Sequence, residues 1–148
     1  VSAFIEELPT LADVAAEADR PPQNIPLFIA VEQMGDDLAV TSLRRRFADL
    51  PNQMTLGAAW NPALAQAVGD IVGHELSAVG MNVVLGPALD VYVQPRTDSV
   101  GKLGVHMYGG HPDWVSELGR SYIAGIHHGS DGRVLTVARH FPGQGDHL

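Results

Sequence analysis

Three short apolar runs, separated by stretches with helical periodicity, limit the possible folds of this chain more than any other feature. The runs are Ile25 to Val31, Met81 to Leu85 and Val134 to Ala138. Each is too short for a lone helix and rich in strand-forming residues, which is typical of strands buried on both faces of a parallel sheet. Because the intervening stretches are long enough for helical crossovers, the sequence predicts three parallel strands.

Helix signals lie before and between these runs. The stretch from Thr10 to about Arg20 is Ala-rich and follows a good N-cap residue. A second helix is predicted from Asn61-Pro62 to Gly80, and a third from Pro112 to Gly129, with proline at the start and glycine at the end of each. The apolar residues that recur at helical spacing, and so predict the packed faces of these two helices, are Leu64, Val68, Ile71, Val72, Leu76 and Val79, then Val115, Leu118, Tyr122, Ile123 and Ile126.

Two α/β architectures are compatible with this order of elements. One is an open doubly wound sheet, and the other is a closed (β/α)8 barrel. The chain has no GxGxxG or GxxxxGK[ST] loop at a strand-to-helix junction, which favours the barrel. A complete barrel has eight strands and about 250 residues. We therefore expect residues 1–148 to be a single segment of a larger barrel, with about three of its strands.

Composition excludes several classes of function. The net charge is −8 at pH 7, and the only basic cluster is Arg44-Arg45-Arg46, so we predict no nucleic-acid partner and assign the cluster to a solvated surface. No apolar run approaches the roughly 18 to 20 residues that span a bilayer, which predicts a soluble protein with no membrane partner. The absence of cysteine excludes disulfides and thiolate metal sites but leaves both the cytoplasm and export open.

The seven histidines do not form a recognisable metal motif. His74-Glu75 resembles the start of a zinc-protease helix, but Ala78 stands where the second histidine is required. His127 and His128 lie near the predicted end of a helix, where attraction between a cation and the helix dipole accounts for them. We therefore predict no metal and no organic cofactor.

Four segments carry a more specific signal. Residues 26–33 read PLFIAVEQ, 85–91 read LGPALDV, 103–112 read LGVHMYGGHP, and 138–146 read ARHFPGQGD. In this order they resemble the amino-terminal barrel of glycoside hydrolase family 3, which reads roughly PLFIAVDQEGG, APVLDV, IGxRSFGxDP and AKHFPGHGD. The resemblance extends from about Leu8 to the end of the chain. It implies a retaining exo-glycosidase that acts on β-linked glucosides or N-acetylglucosaminides.

The resemblance implies roles in substrate binding for five residues. Glu32 stands at the acidic position that holds hydroxyl groups of the non-reducing sugar. Arg139 and His140 stand at the Lys-His pair that also binds this sugar. Asp90, at the end of its strand, supports the site, either by capping the following loop or by orienting a basic neighbour. His106 stands where the family usually has an arginine.

The resemblance places both catalytic groups outside the 148 residues. A retaining glycosidase needs a nucleophile and an acid/base about 5 Å apart. The family nucleophile, an aspartate on a later strand, lies beyond Leu148, and so does the Asp-x-His acid/base pair, since Asp146 and His147 come too early in register. We therefore expect these residues alone to bind sugar weakly and to catalyse nothing, with the rest of the barrel missing.

Departures from the family pattern leave two other functions open. Met34 replaces an acidic residue, His106 replaces an arginine, and Gln144 replaces a histidine. The basic residues usual after the first motif are absent, and Asp37 and Val40 stand nearby instead. These changes are compatible with a pocket for a different sugar, or with a non-catalytic carbohydrate-binding remnant. Besides the non-catalytic remnant, a second alternative function is that of an unrelated barrel or doubly wound enzyme with a phosphate-bearing substrate. The lack of phosphate-binding loops argues against this alternative.

Overall fold

The computed structural model describes residues 27–33, 47–92 and 105–143. The predicted helix near residues 10–20 and the basic cluster at 44–46 lie outside these ranges. None of the helices in the described ranges is both long and apolar enough to cross a membrane. The elements, in chain order, are β1 (Ala30–Val31), α1 (Gln53–Ala59), α2 (Pro62–Ala78), β2 (Val83–Val84), α3 (Pro112–Gly129) and β3 (Leu135–Thr136).

The three strands form a parallel sheet in the order β1-β2-β3, with Val83 of β2 opposite Ala30 on one side and Leu135 on the other. Helices α2 and α3 provide the two crossovers and pack against each other. The spatial order of the strands is the same as their order in the chain. Because crossover connections between parallel strands are right-handed, both crossover helices then lie on the same face of the sheet. A doubly wound sheet would reverse direction and cover both faces. The predicted α/β fold, part of a barrel, is confirmed.

Regular strand pairing is shorter than the apolar runs predicted. Each strand has two paired residues, and the flanking residues stay extended through other hydrogen bonds. Asn82 provides two of these bonds, since its Oδ1 accepts from the Ile29 N–H at 2.7 Å and its Nδ2 donates to the Leu27 carbonyl at 2.8 Å. After β3, the Val137 N–H donates to the Val84 carbonyl at 2.9 Å. Backbone hydrogen bonds therefore continue beyond the two paired residues, and the Asn82 side chain adds two bonds to the segment before β1.

Helix α2 begins and ends close to the predicted residues. Asn61 caps it, with Oδ1 accepting from the backbone N–H of Ala63 at 3.0 Å and of Leu64 at 3.3 Å. Pro62 occupies the first turn, where its missing N–H is not needed. Gly80 follows the last turn with a φ of 79°, a left-handed conformation that favours glycine. The proline and glycine signals therefore predicted both ends of this helix.

The contact between α2 and α3 is built on glycines. Gly69 and Gly73 of α2 lie against the backbone carbonyls of Tyr122 and Ile126, and Gly125 and Gly129 of α3 lie against those of Gln66 and Asp70. A Cβ at any of these positions would overlap a carbonyl oxygen of the other helix. The glycines therefore allow the two backbones to touch.

This close contact also explains an error in the predicted buried face of α2. Val68, Val72 and Leu76 are buried as predicted, but Leu64 and Ile71 are each 40% exposed. The apolar periodicity treated the largest side chains as the centre of the packed face. The centre is instead formed by small residues, because only they permit the approach of α3.

Helix α1 was not predicted from the sequence. Asn52 caps it by accepting from the Thr55 N–H at 2.9 Å. Gly57 lies directly against the Tyr108 carbonyl, so α1 rests on the segment that precedes α3. Trp60 ends the helix in a left-handed conformation with a φ of 53°, and its ring stacks on that of Trp114 with 4.4 Å between the ring centres. A helix of seven residues has too few apolar positions to show a clear period.

His128, in the last turn of α3, lies at a helix end as predicted, and it also hydrogen-bonds Asp70 of α2 through Nδ1. The hydrogen bond to Asp70 and the negative charge of that carboxylate raise the pKa of His128 above its ordinary value of 6.5. A raised pKa in the folded state means that the protonated form stabilises the fold. This stabilisation is complete below pH 6.5 and is lost as the pH rises through the higher pKa of the folded state.

We therefore expect a pH-dependent difference in melting temperature between the wild type and His128→Gln. The comparison is made in the whole protein, meaning the product of the complete reading frame that contains these residues. At about pH 6 the wild type should melt higher than the variant, and the difference should shrink at a pH roughly two units higher. His127→Gln, which changes a neighbour without a bonded carboxylate in the described residues, is the control. An equal difference at both pH values would contradict the role of Asp70.

Candidate active site

One ion pair and one carboxylate–imidazole hydrogen bond join side chains from the carboxyl ends of all three strands. Glu32 directly follows β1, and its Oε1 lies 2.6 Å from Nη1 of Arg139, three residues after β3. Asp90 follows β2, and its Oδ2 lies 2.7 Å from Nδ1 of His140. The structure thus brings together four of the five predicted site residues. We call these four residues the carboxyl-edge cluster.

Backbone pairing between two loops positions this cluster. The Arg139 N–H donates to the Pro87 carbonyl at 3.0 Å, and the Leu89 N–H donates to the Arg139 carbonyl. Ala88 and Arg139 thereby form a parallel bridge beyond the ends of β2 and β3. As a result, Asp90 lies beside His140, the residue after the bridge.

The Glu32–Arg139 pair spans the middle strand. β1 and β3 are both neighbours of β2, and adjacent strands lie about 4.8 Å apart, so the two backbones are separated by roughly 10 Å. Both residues are longer than the Asp and Lys of the family pattern described above. Two long side chains can meet across this gap. The two departures from the family pattern at these positions contact each other directly.

Burial differs between the two members of each pair. The Asp90 side chain is 6% exposed, whereas that of His140 is 33% exposed. The Arg139 side chain is 20% exposed and that of Glu32 is 39% exposed. A buried carboxylate that accepts from Nδ1–H fixes the imidazole orientation and makes Nε2 the acceptor nitrogen of the neutral ring. The geometry corresponds to the second arrangement predicted for Asp90, the orientation of a basic neighbour.

His106 lies on the segment before α3, where it is half-buried. When the Gln53 side-chain amide is assigned the orientation that its two neighbours require, its nitrogen donates to the His106 carbonyl and its oxygen accepts from the Ala88 N–H at 3.1 Å. His106 therefore lies next to the loop that carries Asp90. Its role in substrate binding remains a prediction.

Gln53 is the site-adjacent residue that the sequence analysis missed. It is 2% exposed and is the first residue of α1. Polar residues at this depth need hydrogen-bond partners, so a buried glutamine marks a structural or functional constraint. From the sequence it reads as part of a loop after Leu50-Pro51. The available signal was the Asn52 cap followed by Thr55, which indicates a short helix.

The remaining predictions concern the departures from the family pattern and the metal site. Met34, Asp37 and Gln144 lie outside the described residues. Within the described ranges, no three His, Cys, Asp or Glu residues converge as metal ligands. Glu75, from the apparent zinc-protease motif, instead accepts from the Ala48 N–H at 2.8 Å.

A sheet with helices on one face and charged side chains at the carboxyl ends of its strands is typical of a segment of a (β/α) barrel, a fold whose enzymes have their sites at that edge. The chain belongs to glycosyl hydrolase family 3. The sequence profile of the "Glycosyl hydrolase family 3 N terminal domain" matches residues 5–148. The resemblance inferred from the four motifs is thereby confirmed.

Three relatives illustrate the similarity. A β-hexosaminidase of Nitrosomonas eutropha is 34% identical over 126 residues, covering 81% of this chain and 34% of the relative. The structure of a family 3 β-N-acetylglucosaminidase from Paenibacillus sp. is 36% identical with a TM-score of 0.73, covering 91% of this chain and 23% of that one. The structure of the β-glucoside phosphorylase BglX is 27% identical with a TM-score of 0.70, covering 82% and 21%. The chain spans at most about a third of the length of these relatives.

Proposed function

We propose that the whole protein is a retaining glycoside hydrolase that removes a terminal β-linked sugar, and that the carboxyl-edge cluster binds this sugar. The observation that carries the proposal is the convergence of Glu32, Asp90, Arg139 and His140 at one sheet edge in a member of this family. N-acetylglucosaminides are the preferred substrate class, because the Paenibacillus relative is named a β-N-acetylglucosaminidase and the Nitrosomonas relative a β-hexosaminidase. β-Glucosides are the second class.

The chemistry of the cluster suits the recognition of sugar hydroxyl groups. An ionised carboxylate has about four lone-pair sites, so Glu32 can accept from a hydroxyl group while it remains paired with Arg139. The guanidinium of Arg139 is a planar group with five N–H donors, and it contacts Glu32 through Nη1. His140, oriented by Asp90, adds one further polar group that is partly exposed. Carboxylate, guanidinium and imidazole groups together offer both the acceptors and the donors that sugar hydroxyl groups require.

In the proposed reaction, Glu32, Arg139 and His140 bind the sugar and do not take part in the chemical steps. In the proposed double displacement, a carboxylate attacks the anomeric carbon while an acid protonates the departing oxygen, and water then hydrolyses the glycosyl-enzyme intermediate. This reaction uses a nucleophilic carboxylate, an acid/base group and water, with no cofactor. Both groups are proposed to come from sequence beyond Leu148. Contacts from Glu32, Arg139 and His140 would hold the sugar as these groups act, and binding that strengthens in the transition state raises kcat.

The test is an assay of the whole protein with aryl β-N-acetylglucosaminide and aryl β-glucoside, each with and without inorganic phosphate. We expect release of the free sugar from the N-acetylglucosaminide in both buffers. Release of a sugar 1-phosphate that requires phosphate would indicate phosphorolysis, a reaction favoured by the similarity to the phosphorylase BglX. Sugar binding without turnover would support the non-catalytic alternative. The absence of both sugar binding and turnover would contradict the proposal.

Replacing Arg139 by Met should weaken the binding of N-acetylglucosamine by about 10- to 100-fold, since hydrogen bonds to charged groups contribute about 1.5 to 3 kcal/mol. Methionine keeps most of the length but removes every donor, and it leaves the Glu32 carboxylate without this partner. Calorimetric titration of the whole protein measures the change. Arg133→Met is the matched control, because Arg133 contacts Asp131 at a surface position where its side chain is 67% exposed. Equal losses in the two variants would remove Arg139 from the sugar site.

A further inference from the structure

The buried amide of Gln53 joins two backbone segments that belong to different parts of the chain. One neighbour of this amide is an acceptor, the His106 carbonyl, and the other is a donor, the Ala88 N–H. These two groups assign the amide orientation: the nitrogen donates to His106 and the oxygen accepts from Ala88 at 3.1 Å. His106 lies in a short 3-10 turn before α3, and Ala88 lies in the loop after β2, where it forms the bridge to Arg139. Polar backbone groups in a protein interior need partners, and here one side chain supplies a donor and an acceptor. We call these two bonds the amide bridge.

Both ends of the amide bridge are held in place by further contacts. Gly57 lies one turn after Gln53 on the same face of α1 and touches the Tyr108 carbonyl, so α1 is held against the segment that contains His106. At the other end, Ala88 is bridged to Arg139. The amide of Gln53 therefore links the segments that carry His106, Asp90 and the Arg139-His140 pair.

We propose that Gln53 is a positioning residue for the sugar site, an inference that rests on the proposed function of that site. Gln53 acts through the backbone: it sets the distance between the His106 segment and the loop that carries Asp90. An apolar residue of the same length can supply neither bond. A carboxylate can accept from Ala88 but has no proton to donate to His106. The residue type at this position thus follows from the two groups that it joins.

Replacing Gln53 by Met should raise KM for the aryl glycoside about 10-fold while kcat changes less than about 3-fold. This pattern is expected when a change weakens the binding of the substrate and of the transition state equally. Gln66→Met is the matched control, because Gln66 is an exposed glutamine on α2. The control should leave both constants unchanged.

Gln53→Glu gives a test that a purely structural role would not reproduce. A protonated carboxyl group donates through its O–H and accepts through its other oxygen, as the amide does, whereas the ionised form only accepts. Burial raises the pKa of a carboxyl group, which extends the protonated form to higher pH. The ratio of the variant KM to the wild-type KM should therefore approach one at acidic pH and rise about 10-fold as the carboxyl group ionises. Gln66→Glu should give a flat ratio.

Hydrogen exchange of the Ala88 amide tests the amide bridge without any substrate. Exchange should be faster in Gln53→Met than in the wild type, whereas exchange in the α2–α3 contact should stay the same. A wild-type KM together with wild-type exchange at Ala88 would overturn the inference, even if the variant melted at a lower temperature. If the wild type hydrolysed no glycoside, the proposed function would fail, and the exchange rates would still decide whether the bridge holds the loop. Should the Met variant not fold, the Glu variant at acidic and neutral pH provides the same comparison.

Discussion

Asp90→Asn is expected to lower kcat/KM for aryl glycoside hydrolysis by about 10²-fold, with little change in fold. The substitution is nearly isosteric, but an amide can present its N–H₂ to Nδ1 of His140 and so favour the wrong tautomer. Carboxylate-to-amide changes behind a functional histidine commonly cost 10-fold to 10⁴-fold in activity. Asp90 is suited to this role because its side chain is 6% exposed and its Oδ2 lies 2.7 Å from His140. Steady-state kinetics of the whole protein measure the effect.

Asp131→Asn is the control for this experiment. Asp131 is exposed, contacts Arg133 only at the surface, and has a φ of 51°, a conformation that Asn adopts readily. Its replacement should leave kcat/KM within about twofold of the wild type, as expected of a surface change. Wild-type activity in Asp90→Asn would mean that Asp90 does not orient His140 in the working enzyme.

Gly73→Ala should lower the free energy of unfolding by about 2 kcal/mol or more. In an open helix the same change would stabilise by about 1 kcal/mol, because alanine has the better helix propensity. At Gly73 the new Cβ overlaps the backbone carbonyl of Ile126, so α3 must move away from α2. Overpacking of this kind costs about 1 to 3 kcal/mol, and more where the obstructing atom belongs to the backbone. Denaturant unfolding of the whole protein gives the difference.

Gly119→Ala provides the comparison within α3. A Cβ at Gly119 meets the end of the Leu89 side chain, which can rotate away, rather than a backbone atom. The change in unfolding free energy should therefore stay within about 1 kcal/mol, since the propensity gain offsets the repacking. If Gly73→Ala and Gly119→Ala destabilised the protein equally, the backbone contact between α2 and α3 would not be the reason that Gly73 does not tolerate a side chain.

The sequence predicted the parts of the fold that local chemistry determines. Asn61-Pro62 and Pro112 marked helix starts because a cap and a first-turn proline act within a few residues. It failed for the buried face of α2, where Leu64 and Ile71 are exposed. Which face packs depends on a neighbour that lies far along the chain, and the glycines that permit the contact carry no apolar signal.

For the candidate site, too, the sequence predicted some features and missed others. The resemblance to a family identified Glu32, Asp90, Arg139 and His140, but single residues do not reveal which of them contact one another. Glu32 and Arg139 are 107 residues apart in sequence and meet because the strand order places both near β2. Gln53 was missed because its importance comes from two backbone groups in other segments. Such groups leave no trace in the pattern of side chains.

The most direct measurement is a crystal structure of the whole protein with bound N-acetylglucosamine. The account predicts that the sugar lies at the carboxyl edge of the sheet, with hydroxyl groups about 2.7 to 3.2 Å from polar atoms of Glu32, Arg139 and His140. The Asp90–His140 pair should remain in place beneath it. A sugar bound elsewhere in an active enzyme, with no contact to Glu32, Arg139 or His140, would contradict the central claim that this cluster is the sugar-binding half of the site.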